Sequence, residues 1–198
     1  GPPYYQDLAL PSILEYYQYF GHNVHIISKP PEGMGGVHPS WIKTAIHSII
    51  ESDFILIQDL DILPCNTRFN IFDFININKI NMSMDCSIIR DPNSSRYPYF
   101  KWNSGLLGYP KSYSEFFKTI WGKYGSNPKN YESYEQYYIN EEIGTAGVAV
   151  HELPVKFNQF WHENFNYRDN AFCHYTYDIP TDKKAEFIDK FHPKEDIA

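Results

Sequence analysis

One stretch constrains this chain more than any other: Phe54-Ile-Leu-Ile-Gln-Asp59-Leu-Asp61-Ile-Leu-Pro64. A continuous apolar run such as Phe54–Gln58 is expected of a strand buried on both faces, as in a parallel α/β sheet. It runs straight into two carboxylates. Residues two apart on an extended chain point to the same side. Asp59 and Asp61 are therefore expected to converge at the strand's C-terminal end, where α/β sheets bind ligands. Two carboxylates held close repel each other unless something positive lies between them. A hard divalent cation, Mg²⁺ or Mn²⁺, is the natural partner. Such an ion bridges to phosphate oxygens and neutralises a leaving diphosphate. The plain alternative is a turn in which one Asp caps a helix and the other is solvated.

The flanking pattern places this strand in an α/β domain. Ala9–Phe20 has helical apolar spacing at Leu10, Ile13, Leu14, Tyr17 and Phe20, with Gly21 as its stop. Asn23–Ser28 reads as a short strand, and 29–37 as a Pro/Gly-rich loop. Pro39–Ile50 reads as a second helix capped by Ser40. Alternating strand and helix predicts a mixed, mostly parallel central sheet flanked by helices. Further on, Asn81–Asp85 and Val148–Leu153 are strand candidates, and Trp102–Gly108 is a short apolar stretch. Ser112–Tyr124 and Tyr131–Glu142 are helix candidates, and 88–99 reads as a polar loop. No linker stands out, so the 198 residues read as one domain, 1–198, of what could be a longer protein.

Composition narrows the function. The formal net charge is −7, which argues against a nucleic-acid partner. No apolar run approaches the ~20 residues of a membrane span. Cys65, Cys86 and Cys173 are odd in number and far apart, which speaks against a disulfide framework or a zinc knuckle. A reducing, cytoplasmic setting is the simplest expectation. The 17 Tyr, 14 Phe and 4 Trp suit surfaces that hold sugars or bases, or else a Tyr-rich core.

Several pieces recur in an order that resembles the GT-A fold, DxD-type glycosyltransferases. The likeness is to the retaining family of glycogenin and bacterial galactosyltransferases, and to small viral sugar transferase domains. A helix with a basic residue, His38-Pro-Ser-Trp-Ile-Lys43, precedes the DxD of Asp59 and Asp61. Then come Trp102-Asn103-Ser104-Gly105, the pair Glu135-Gln136 with Asn140, Leu153-Pro-Val-Lys-Phe-Asn158, and His174-Tyr175. Together they span roughly residues 38–176.

The resemblance implies a GT-A-like single domain that moves a hexose from a UDP-sugar to an acceptor hydroxyl, with retention. Asp59, Asp61 and His174 would hold Mn²⁺ or Mg²⁺, and Asp59 would also touch the donor. Lys43 would balance the donor's charge. Asn103, Ser104 and Gly105 would lie under the donor sugar or the acceptor. Glu135 and Gln136 would stand near the reacting carbon as catalytic groups. Tyr4 or Tyr5 could stack on uracil. The partners would be the UDP-sugar and a glycan or glycosylated acceptor. This sequence departs from the family in carrying Glu135 where Asp is usual. Only Gly1–Tyr5 stands where an apolar first strand is usual, so that strand is expected to be truncated or to lie upstream. The late Gly-x-x-Lys-Pro-Trp segment is replaced by Lys183 and Lys184.

Two readings from other classes stand beside this one. A haloacid-dehalogenase-type phosphatase also places DxD after an apolar strand and uses the first Asp, here Asp59, as nucleophile. That motif normally continues with a small pair near the chain start, whereas Ile62-Leu63-Pro64 follows here. A non-catalytic carbohydrate-binding domain would account for the aromatics. UDP binding that requires metal separates the transferase from both.

Overall fold

A computed structural model describes residues 3–29, 34, 38–85, 101–125, 134–160 and 165–175, with α1 side chains from Ala9 onward. Cys86, the loop at 88–99, Lys183 and Lys184 lie outside these residues. The helices are α1 (Pro3–Tyr19), α2 (Ser114–Ile120) and α3 (Tyr134–Ala146). The strands are β1 (Phe54–Gln58), β2 (Ile62–Pro64), β3 (Ile80–Met84), β4 (Trp102–Pro110), β5 (Val150–Leu153), β6 (Gln159–Phe160) and β7 (Phe172–His174). The chain divides into two compact units. Unit 1 holds Gly1–His25, Gln58–Phe74 and Pro154–Ala198; unit 2 holds Ile26–Ile57 and Ile75–Leu153. Strands and helices combine in a mixed α/β architecture, the class the sequence predicts.

In unit 1, a three-stranded sheet has the order β2-β7-β6. β2 and β7 are antiparallel, pairing Ile62 with His174 and Leu63 with Cys173. β6 and β7 are parallel, pairing Phe160 with His174. α1 supplies Ala9, Ile13, Tyr16 and Tyr17 to the core, a helical spacing. The Tyr16 ring meets Phe172 edge-on at 5.0 Å. Its hydroxyl donates to the Phe69 carbonyl at 2.6 Å and accepts the Ile71 amide at 3.0 Å. A buried hydroxyl thus satisfies two backbone groups that pair with no strand. Gly21, at φ +74°, closes the helix as expected. The helix starts earlier than its apolar spacing suggested, so Tyr4 and Tyr5 sit on α1 rather than on a leading loop. Pro3 is tolerated there because the first helical position has no amide bond to lose.

In unit 2, the sheet order is β1-β4-β3-β5. β3 runs antiparallel to β4 and parallel to β5. Every residue of β4 is buried. The core gathers Trp41, Ile55, Ile80, Met82, Leu107, Tyr109, Phe117, Ile120, Tyr138 and Ile139. At Gly108 a Cβ would lie 2.9 Å from the Phe54 ring and 3.2 Å from Leu56, so any larger residue there would have to push the Phe54 ring aside.

Three local expectations are corrected. Asn23–Ser28 forms no strand; Asn23, His25, Ile26 and Ser28 are exposed, so it has no apolar face to bury. Pro39–Ile50 is not an α-helix but two 3₁₀ turns, Pro39–Thr44 and Ile46–Ser48. The first is capped by the His38 side chain, which accepts from the Ser40 amide, and not by Ser40; the second has no side-chain cap. Ser112–Tyr124 shortens to α2 and then widens into a π-turn, Trp121–Gly125.

Candidate functional site

The site residues read from the sequence fall into two clusters, one in each unit. The first starts from a break in the β3–β4 ladder. Asn81 pairs with Gly108 and Met82 with Leu107, but Ser83 pairs with Asn103 and Met84 with Trp102. Ser104, Gly105 and Leu106 therefore oppose no residue of β3. A bulge of this kind bends the strand and re-aims its side chains. The Asn103 side chain stabilises it by accepting the Gly105 amide at 2.9 Å.

α3 is clamped onto this bulge. Asn140 accepts the Trp102 amide at 2.8 Å and donates to the Trp102 carbonyl at 2.9 Å. The clamp brings Glu135 and Gln136 against Ser104. The Ser104 hydroxyl donates to Glu135 Oε1 at 2.8 Å, and its amide donates to Gln136 Oε1 at 2.9 Å. Gln136 then donates through Nε2 to Asp85 Oδ2 at 3.2 Å, which also receives Asn103 Nδ2 at 3.2 Å. Lys43 Nζ lies 2.9 Å from Glu135 Oε1, and both side chains are almost fully buried. Burial alone would raise the Glu135 carboxyl. The Lys43 ammonium and hydrogen bonds from Ser40, Lys43 and Ser104 outweigh it and hold the group below the usual carboxylate range.

This network brings together Lys43, Asn103, Ser104, Glu135 and Gln136. It adds Asp85, which sequence reasoning passed over. The signal was there: Asp85 follows the apolar strand β3 as Asp59 follows β1.

The second cluster lies in unit 1. The extended-chain argument for Asp59 and Asp61 does not hold. β1 ends at Gln58, and the chain turns at once, the Ile62 amide donating to the Asp59 carbonyl at 3.1 Å. β2 then carries the chain into its pairing with β7. The Tyr175 amide donates to the Asp61 carbonyl at 2.7 Å, and Asp61 Oδ2 lies 3.7 Å from His174 Nε2. Asp59 does not complete a three-residue cluster with them: among the described residues no three His, Cys, Asp or Glu side chains gather to hold a metal. The turn that seats Asp61 beside His174 breaks the two-residue alternation that would have aimed Asp59 the same way.

The Asp61–His174 pair by itself fits a shared cation. Metal–oxygen bonds of about 2.1 Å put two ligating atoms on one ion roughly 3–4 Å apart. A carboxylate oxygen and an imidazole nitrogen are the donor types that suit Mn²⁺. On its other edge, His174 Nδ1 lies 2.8 Å from Asn158 Oδ1. Tyr4 and Tyr5 offer no side-chain geometry, since theirs lie outside the described residues.

No family model matches the chain, and no curated protein sequence matches it. Solved structures do. A glycosyltransferase involved in the glycosylation of the major capsid of PBCV-1 matches with a TM-score of 0.65 at 19% identity, over 96% of this chain and 95% of that one. The apo-form glycosyltransferase GlyE of Streptococcus pneumoniae TIGR4 matches with a TM-score of 0.55 at 12% identity, over 88% of this chain and 44% of that one. The chain has the fold of these glycosyltransferases, the GT-A-like α/β architecture that its ordered motifs resemble.

Proposed function

We propose that this chain is a metal-dependent glycosyltransferase that moves a hexose from a UDP-sugar to an acceptor hydroxyl. The observation that carries the reading is the Asp61–His174 pair, a carboxylate and an imidazole at the spacing of two ligands on one cation. The shared fold of the capsid-directed glycosyltransferase supports it across nearly the whole chain. The acceptor is a glycan or a glycosylated protein, in keeping with what that protein modifies.

Asp61 and His174 would hold Mn²⁺, or Mg²⁺, and Asp59 would touch the donor. When bound, the ion supplies charge neutralisation to the departing diphosphate. Lys43, Asn103, Ser104 and Gly105 belong to donor binding, and Tyr4 or Tyr5 to the uracil. Glu135 and Gln136 stand as the catalytic pair. Their hydrogen bonds favour retention. An inverting reaction needs a carboxylate free to take the acceptor proton. Glu135 is held ionised by Lys43 and Ser104, and so is a poor base. Gln136 has its amide oriented by Ser104 and Asp85, a neutral polar group of the kind a retaining site presents.

The test is donor turnover. UDP-glucose, UDP-galactose and UDP-rhamnose are incubated with the protein, with and without Mn²⁺, and UDP release is followed. Metal-dependent release from one of them, with the anomeric configuration kept in the product, is the expected result. Phosphate release from simple phosphate esters through Asp59, with no UDP release, would replace this reading by the phosphatase one.

A further inference from the structure

Asn158 is fully buried, between the turn Val155–Phe157 and β6. Its Oδ1 lies 2.8 Å from Nδ1 of His174. An amide oxygen can only accept, so Nδ1 carries the ring proton. A neutral ring then presents the bare lone pair of Nε2 to Asp61. The distance agrees: 3.7 Å from Nε2 to Oδ2 is too long for a hydrogen bond, as two facing acceptors require. The parallel pairing of β6 with β7 holds Asn158 in place, one residue before the Gln159–Cys173 pair. The Phe160 ring braces the imidazole at 4.6 Å, 72° out of plane.

We propose that Asn158 is a positioning residue for metal binding: by accepting the Nδ1 proton it holds His174 in the tautomer whose Nε2 faces Asp61 ready to ligate a divalent cation. The proposal rests on the metal reading of the Asp61–His174 pair. In the opposite tautomer, Nε2–H would turn a proton toward the cation. It would also close onto Asp61 as a hydrogen bond and shut the space between the two. Asn158 keeps the Nε2 lone pair of His174 turned toward Asp61. Outer partners of metal-ligating histidines commonly carry ~10–100-fold of metal affinity.

Two measurements test this. The first is nitrogen NMR of the metal-free wild type near pH 9, where histidines are neutral. His174→Ala identifies the signal among the eight histidines. The expected ring is Nδ1–H; an Nε2–H ring overturns the proposal. The second is calorimetric titration with Mn²⁺ of wild type, His174→Ala, Asn158→Leu and Asn158→Asp, each checked for fold by circular dichroism. Asn158→Leu keeps the volume but removes the acceptor, and is expected to bind ~10–100-fold more weakly. Asn158→Asp keeps an acceptor and is expected to stay within a few-fold of wild type. A folded Asn158→Leu that binds as tightly as wild type overturns the proposal and leaves the metal reading intact. If His174→Ala binds Mn²⁺ as wild type does, the metal reading of the pair fails instead. If Asn158→Leu does not fold, the wild-type tautomer and the Asn158→Asp affinity decide.

Discussion

The backbone carbonyl of Asp61 accepts the amide of Tyr175 at 2.7 Å, one step beyond the last pair of the β2–β7 ladder. The carboxylate is thus tied to the strand that carries His174 by main chain alone, whatever its own side chain does. Asp61→Ala is therefore expected to keep the fold and lose only the ligand. In thermal unfolding, wild type should shift upward with UDP and Mn²⁺ together and not with UDP alone. A ligand at ~100 times its dissociation constant adds about 2.7 kcal/mol. Asp61→Ala should show the wild-type transition without ligands and no shift with both. A full shift in the variant would remove Asp61 from the metal site.

The Lys43–Glu135 pair is buried at 2.9 Å, so each charge depends on the other. Removing one partner of such a pair costs about 3–5 kcal/mol, whereas replacing both with apolar residues is often close to neutral. Urea unfolding of Glu135→Leu, Lys43→Met and the double variant checks this. The expected result is two strongly destabilised single variants and a double variant more stable than either. Additive losses would show that the ions contribute independently.

The same pair gives an acid dependence with a defined sign. The folded Glu135 carboxyl titrates below its unfolded value. Its contribution is present above the unfolded value of about 4.3 and is lost as pH falls from there through the folded value. Urea midpoints measured down from pH ~5 should therefore fall more steeply for wild type than for Glu135→Gln. Parallel curves would place the acid-sensitive group elsewhere.

Tyr16 serves two backbone groups with one hydroxyl. Tyr16→Phe keeps the ring against Phe172 but leaves the Phe69 carbonyl and the Ile71 amide without that partner. A buried group left unsatisfied costs about 1–3 kcal/mol. Equilibrium unfolding should show a loss of that size. A change below about 0.5 kcal/mol would mean that water replaces the hydroxyl.

The apolar run of β1 was legible as a strand, but burial on both faces is not its reason: only Ile55 in it is buried, and β1 lies at the edge of its sheet. β3 was read as the strand candidate Asn81–Asp85, β4 only as a short apolar stretch, and the segment bearing Glu135 and Gln136 as a helix. β2, β6 and β7 were not read, because two or three residues carry no period. The β2–β7 pairing joins residues more than a hundred positions apart, as in Leu63 with Cys173. The helical spacing around Lys43 was real, but Pro39–Thr44 winds as a tighter 3₁₀ turn. The residues of the Ser104 cluster were named from their order along the chain. Their contacts were not readable, since a strand's register is set by its partner and not by its own sequence. The turn after Gln58 hid in the same way: Asp59 and Asp61 read as extended because Ile62-Leu63-Pro64 continues the apolar run.

The three residues of β4 that oppose none of β3 have a consequence for how this chain can change. On either side of Ser104-Gly105-Leu106 the β3–β4 ladder is regular. Joining Asn103 directly to Leu107 would leave one uninterrupted register, Ser83 with Asn103 and Met82 with Leu107. The β3–β4 register does not depend on the inserted residues, and one of them is the serine that holds both Glu135 and Gln136. A nine-nucleotide deletion would therefore remove the Ser104 contacts to Glu135 and Gln136 while the β3–β4 pairing ran on unbroken.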